Sequence, residues 1–146
     1  MRFLYDTAVF VYAVGSDHRY RDPCREIVER ATRGDLAGEA SVELVQELIH
    51  VRSRGTRDRA EALQLAGNVA QLCRLHSFDP GDLPLMLTLL DRHKSLGVRD
   101  AVFAATALNR QVGAILSPDR AFDGIRGLRR VDPLDERAVD ALTAGT

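Results

Sequence analysis

Five short strand-like runs alternate along this chain with longer segments whose apolar residues recur at helical spacing. The runs are "RFLY" at residues 2–5, "LAGEAS", "LHSFD", "GAILS" and "LRRVDP". A strand, a crossover helix and a second strand make the unit that builds a parallel sheet with right-handed connections. The expected architecture is therefore an α/β sandwich, a mostly parallel sheet flanked by helices. The first helix covers Thr7–Val14 and is ended by "GSD"; Pro23 opens the next, "PCREIVERATRG", with Ile27, Val28 and Ala31 on one side and Gly34 as its stop. "VELVQELIHVRSRG" keeps helical spacing at 42, 45, 48 and 49 until Gly55, and Thr56 caps a long helix from about Arg57 to Arg74. Another starts near Asp82 or Pro84, a further one runs from Val98 to Gln111, a short helical turn follows Asp119, and "TAGT" frays at the end.

The 146 residues suit one domain spanning 1–146. No apolar stretch approaches the roughly 18 residues that cross a bilayer. Asp6 also falls where the apolar part of a secretion signal would lie, so a cytoplasmic protein with no membrane partner is expected. Cys24 and Cys73 have no partner at metal-ligand spacing and are expected to be free thiols that pack. Net charge is −1, so any polyanion must be drawn by local patches. Lys94 is the only lysine among 20 Lys plus Arg. Guanidinium groups suit phosphate, although a GC-rich genome gives the same bias. The candidate patches are "HRYRDPCR" (His18 to Arg25), "RSRGTRDR" (Arg52 to Arg59) and "RGLRR" (Arg126 to Arg130).

In open parallel sheets the ligand crevice lies at the carboxyl ends of the strands, where strand order reverses. Asp6 ends the first strand and Asp119 follows another. Taken alone, Asp6 reads equally as the cap of the helix after it. Asp100 opens a helix that is apolar on nearly every side from 101 to 108, which marks it as buried. As a lone residue Asp100 would merely favour the helix dipole. At about 100° per residue the apolar centre of the 42–52 helix falls between Val45, Leu48 and Ile49, with Glu43 almost opposite and Glu47 about 130° away. By that geometry Glu43 is plain surface, and Glu47 is a surface residue nearer the buried border. Several carboxylates gathered in a dry cleft require a cation, and all-oxygen ligands select a hard one such as Mg²⁺ or Mn²⁺. Such ions activate water against phosphodiesters.

The order "FLYDT", "SVELVQELIHV", "GVRDAVFAATAL" and "ILSPDRAF", with "YRDPCREI" between the first two, resembles the PIN-domain ribonucleases and, more narrowly, the VapC toxins of bacterial toxin–antitoxin pairs. The resemblance implies a five-stranded, three-layer PIN-like sandwich. It implies catalytic, metal-holding acids at Asp6, Glu47, Asp100 and Asp119, with Thr7 and Ser117 supporting them through their hydroxyls. The family commonly has Thr where Ser117 stands, and Ser supplies the same hydroxyl. Asp123 reads as surface, a role toward a second metal or water being the alternative. Also implied are Mg²⁺ (or Mn²⁺) as cofactor, an RNA substrate (tRNA, rRNA or mRNA), a homodimer, and a small antitoxin that lays an arginine among the carboxylates. Apolar helices near the N-terminus and within 42–74 would dock that antitoxin. With only 5% aromatic residues, few rings are available to stack bases, so selectivity would rest on RNA shape. Two other readings stand beside this one. A non-catalytic PIN-like module would bind RNA or a partner without cutting it. A receiver-like regulatory domain shares the alternating α/β order, but Asp6 has no adjacent acid and Lys94 is not at a strand end.

Overall fold

The structure, a computed structural model, describes residues 1–54 and 58–143. Its elements are β1 (Phe3–Tyr5), α1 (Thr7–Val14), α2 (Arg21–Thr32), β2 (Glu39–Ser41), α3 (Val42–Arg52), α4 (Arg59–Leu72), β3 (Arg74–His76), α5 (Leu83–Arg92), α6 (Val98–Asn109), β4 (Ala114–Leu116), β5 (Arg129–Val131) and α7 (Glu136–Asp140). Single 3₁₀ turns occupy Pro80–Asp82 and Arg120–Phe122. The strands form one sheet in the order β3-β2-β1-β4-β5. Every neighbouring pair is parallel, so the sheet is wholly rather than mostly so. Helices flank it: α1 packs on α2 and α3, α3 on α4, and α5 on α6. No helix among the described residues is long and apolar enough to cross a membrane.

The chain leaves β1 toward β2 and β3, then returns to add β4 and β5 on the other side. Strand order thus reverses at β1, which places the crevice at the carboxyl ends of β1 and β4. Both strands are buried throughout, consistent with apolar runs covered on both faces. Residues 101–107 of α6 are all buried as expected, and Thr106 is tolerated there because its Oγ1 donates to the Val102 carbonyl at 2.7 Å. Gly38 has a steric reason: a Cβ there would fall 2.0 Å from the Tyr5 ring. Cys24 and Cys73 are free and buried, and burial pushes both thiols up to about 12.

Several boundaries differ from the expectation. α2 begins at Arg21, so Pro23 sits within the first turn, where N–H groups have no intrahelical partner anyway. Gly55, Thr56 and Arg57 lie outside the described residues; the side chain that caps α4 is Asp58, accepting from Ala60 N at 2.8 Å. α4 stops at Leu72, because Arg74–His76 pairs with β2 as a strand earlier than "LHSFD" suggests. α6 ends at Asn109, and Gln111 turns the chain with φ 58°. α7, capped by Asp135, was not anticipated. Of "TAGT", only Thr143 is within the described residues.

A clasp away from the crevice joins the 3₁₀ turn before α5 to the end of α6. Arg110 donates from Nη1 and Nη2 to the two Asp82 carboxylate oxygens, both at 2.9 Å, and Asn109 Nδ2 adds a 2.7 Å bond. The Arg110 guanidinium, ahead of Asn109, holds the buried Asp82 carboxyl down to about 2. The native state therefore binds fewer protons here than the unfolded chain between about pH 2 and 4, and the clasp stabilises fully only above that window. Asp82→Asn is expected to cost about 2 kcal/mol at pH 5.5, a penalty that vanishes as pH falls to 2. Urea unfolding at the two pH values reads this; an equal penalty at both would refute the clasp.

Candidate active site

Asp6 stands one residue past β1 at the N-cap position of α1, yet its carboxylate makes no capping hydrogen bond. It accepts instead from the Ser117 hydroxyl, Oγ to Oδ2, at 2.6 Å. The sheet dictates this meeting. Tyr5 is in register with Leu116, and Asp6 N donates to the Leu116 carbonyl at 3.1 Å, so the residues after β1 and β4 leave the sheet side by side. Ser117 is wholly buried; its Oγ also accepts from Asp119 N at 3.0 Å, which turns the chain so that Asp119 comes back over the strand ends. The Asp119 carboxylate accepts from Ala121 N at 2.9 Å and itself stays exposed.

Glu47 reaches the same place from α3. Its Oε2 accepts from Thr7 Oγ1 at 2.7 Å, across 40 residues of chain. The buried side of α3 is Leu44 and Leu48, not a stripe centred on Val45 and Ile49. Glu47, one turn after Leu44, then lies about 80° from the buried centre rather than about 130°. Val45 and Ile49 are half-buried, since α3 is covered by both α1 and α4. Glu43 is not plain surface either: it is half-buried, and its Oε1 accepts from Ser41 Oγ at 2.8 Å and from Phe78 N at 3.2 Å. It ties α3 to the loop after β3 and takes no part in the cleft.

Asp100 enters from the first turn of α6. Asp6, Thr7, Glu47, Asp100 and Asp119 line one cleft of about 550 Å³ together with Val11, Tyr12, Tyr20 and Pro118. Burial raises the Asp6 carboxyl to about 6, the charges of Glu47 and Asp119 adding to the effect of desolvation against the Ser117 hydrogen bond. Burial also raises Asp100 to about 7, with Asp6 and Asp119 the next causes. The carboxylates are thus close enough to feel one another. No Lys, Arg or His among the described residues forms an ion pair with any of the four. They stand as neighbours rather than a closed ligand shell: among the described residues no three His, Cys, Asp or Glu side chains are gathered as a metal-holding group. An all-oxygen, mutually repelling, cation-poor donor set nevertheless fits a hard divalent ion. Asp123 lies outside the cleft and is exposed, held by Arg130 Nε at 2.7 Å.

Tyr12 and Tyr20 also line the cleft, and no motif that carries its acids includes them. The signal for Tyr12 was available, since residues 7, 8, 11 and 12 fall on one side of α1 at helical spacing, and that side faces the acids.

A parallel sheet with carboxylates converging where strand order reverses defines a class of acidic-cleft α/β proteins. The PIN-domain sequence pattern matches residues 3–128, and the chain belongs to the PIN-domain family. Ribonuclease VapC7 of Mycobacterium tuberculosis is 36% identical over 131 residues, covering 88% of this chain and 89% of that protein. Among solved structures, VapBC2 from Rickettsia felis, bound to a promoter DNA fragment, superposes with a TM-score of 0.69 at 15% identity, covering 90% of this chain and 98% of that one. A toxin–antitoxin complex from Klebsiella pneumoniae gives 0.66 at 16% identity, covering 89% and 96%.

Proposed function

We propose that this chain is a divalent-metal-dependent endoribonuclease of the cytoplasm that cuts exposed single-stranded segments of structured RNA and is silenced by a small cognate antitoxin. The observation that carries this reading is the meeting of Asp6, Glu47, Asp100 and Asp119 in one cleft without a cationic side chain paired to them among the described residues. A relative named as a ribonuclease, 36% identical along most of its length, supports the substrate class.

Asp6, Asp100 and Asp119 would hold Mg²⁺ or Mn²⁺, and Glu47 would share in holding it or orient the attacking water. Such an ion, when bound, activates water and offsets charge on the leaving oxygen of the phosphodiester. The chain's own groups prepare the place. Ser117 donates to one oxygen of Asp6, which helps hold that carboxylate at the cleft. Thr7 holds Glu47 in the same way. The buried floor formed by the ends of β1 and β4 strengthens each charge interaction above it.

The similarity to a toxin–antitoxin complex supports an antitoxin partner. An apolar groove of about 390 Å³ between α1, α2 and α4, lined by residues such as Phe10, Val28, Leu65, Val69 and Leu72, would receive its apolar segment. An arginine from the same partner would enter the carboxylates, and two copies of the chain would form a homodimer.

Incubating the purified protein with total tRNA and rRNA tests the reading. Discrete fragments are expected with Mg²⁺ or Mn²⁺ and none with EDTA, and mapping the ends names the target. Absence of any cut across both titrations would leave a PIN-like protein that binds without cleaving.

A further inference from the structure

Three flat rings meet at the mouth of the cleft, and the chemistry above has no use for them. Tyr12 stacks on His18 with ring centres 4.6 Å apart and planes 24° from parallel, and on Tyr20 at 5.4 Å and 29°. His18 and Tyr20 lie within 16° of parallel at 6.0 Å. The group is braced from beneath. Tyr20 is buried, its hydroxyl donates to Asp132 Oδ2 at 3.0 Å, and the Arg19 guanidinium lies 5.1 Å from its ring centre. Tyr20 N donates to His18 Nδ1 at 3.2 Å, which orients the imidazole. Outward, His18 is exposed and Tyr12 half-buried. Val11 and Tyr12 line both the acidic cleft and an adjoining depression of about 500 Å³ whose wall includes His18 and Arg52.

We propose that Tyr12 and His18, braced by Tyr20, form a platform on which an unpaired nucleobase of the RNA stacks beside the acidic cleft, with Arg52 across the depression serving the adjoining phosphate. The proposal deepens the nuclease reading and rests on it. A bound divalent ion can hold only the phosphate at the cleft itself, and a net charge of −1 offers no long-range attraction, so the rest of the strand needs contacts flanking the cleft. Ring stacking supplies them without charge, and it accepts any base because every base has a π-face. The near-parallel, offset rings match the geometry in which aromatic pairs attract. Stacking also requires the base to be out of a duplex, which selects single-stranded segments.

Fluorescence anisotropy of a fluorescein-labelled hexa-adenylate RNA, measured with Ca²⁺ in place of Mg²⁺, tests the platform. Tyr12→Ala is expected to weaken binding about five- to hundredfold, His18→Ala less, and Tyr12→Phe to stay within about twofold of wild type. Hexamers with one abasic position, moved along the strand, should include one that the wild type binds as weakly as Tyr12→Ala binds the intact strand. The same abasic hexamer should cost Tyr12→Ala nothing more, a compensation that a merely structural Tyr12 would not give. Equal wild-type affinity for intact and abasic strands overturns the platform. If RNA is cleaved while binding is blind to bases, the platform falls and the nuclease reading stands; base-dependent binding without cleavage in Mg²⁺ or Mn²⁺ upholds the platform and overturns the nuclease reading.

Discussion

Asp6→Asn is expected to reduce RNA cleavage about a thousandfold or more while leaving the fold intact, because three factors of ten correspond to roughly 4 kcal/mol and a metal-bound transition state draws several from its charged ligands. Asparagine keeps the shape of the buried side chain, and its amide oxygen can still accept from the Ser117 hydroxyl, so the junction of β1 and β4 survives. What disappears is the negative charge at the floor of the cleft. The discriminating measurement pairs the cleavage rate with circular dichroism and thermal melting. A variant that cuts RNA at the wild-type rate removes Asp6 from the chemistry; one that fails both to cut and to fold calls for the same assay on Asp119→Asn, whose side chain is exposed and cannot be needed for the core.

Asp100→Asn separates two physical accounts of one residue by sign. If Asp100 served only the N-terminus of α6, removing its charge would cost about 0.3–1 kcal/mol through the helix dipole. The cleft predicts the reverse. Burial and the charges of Asp6 and Asp119 hold the Asp100 carboxyl up to about 7, so its ionised form is disfavoured in the folded state relative to the unfolded chain. The native state binds more protons than the unfolded one between about pH 4 and 7, and stability falls as pH rises through that window. At pH 8 without divalent ions the variant is therefore expected to melt about 5 °C above wild type, an order-of-magnitude figure for relieving carboxylate repulsion in a half-buried site. Adding Mg²⁺ should stabilise the wild type by ligand linkage and the variant far less. Equal melting temperatures and equal responses to Mg²⁺ would mean that the carboxylates neither repel one another nor share an ion.

The strand–helix alternation exposed the architecture because β1 and β4, which position the site, are fully buried apolar runs, whereas the edge strand β3 is largely exposed and beside the polar-ended β2. Asp6 and Asp119 could be placed at the crevice for the same reason. The phase of α3 was harder. A helix covered by both α1 and α4 carries half-buried residues such as Val45 and Ile49 on its flanks, and these drew the apparent apolar centre away from Leu44 and Leu48. That shift made Glu47 look remote and Glu43 idle, whereas Thr7 and Phe78, far away along the chain, decide what each does. No periodic pattern announces the ring group either. His18 and Tyr20 lie in the turn after α1, and only its folding back sets them against Tyr12.

The hydrogen bond from Ser117 to Asp6 spans 111 residues of sequence. During synthesis, which proceeds from the N-terminus, the polypeptide can form α1 through α4 long before β4 exists to slot beside β1. No partial chain ending ahead of Asp119 contains all four acids of the cleft, so the cleft cannot be assembled until most of the 146 residues have been translated. Contacts this distant also form slowly, so the newborn chain carries Asp6 beside an unfinished cleft for longer than its local helices need to fold.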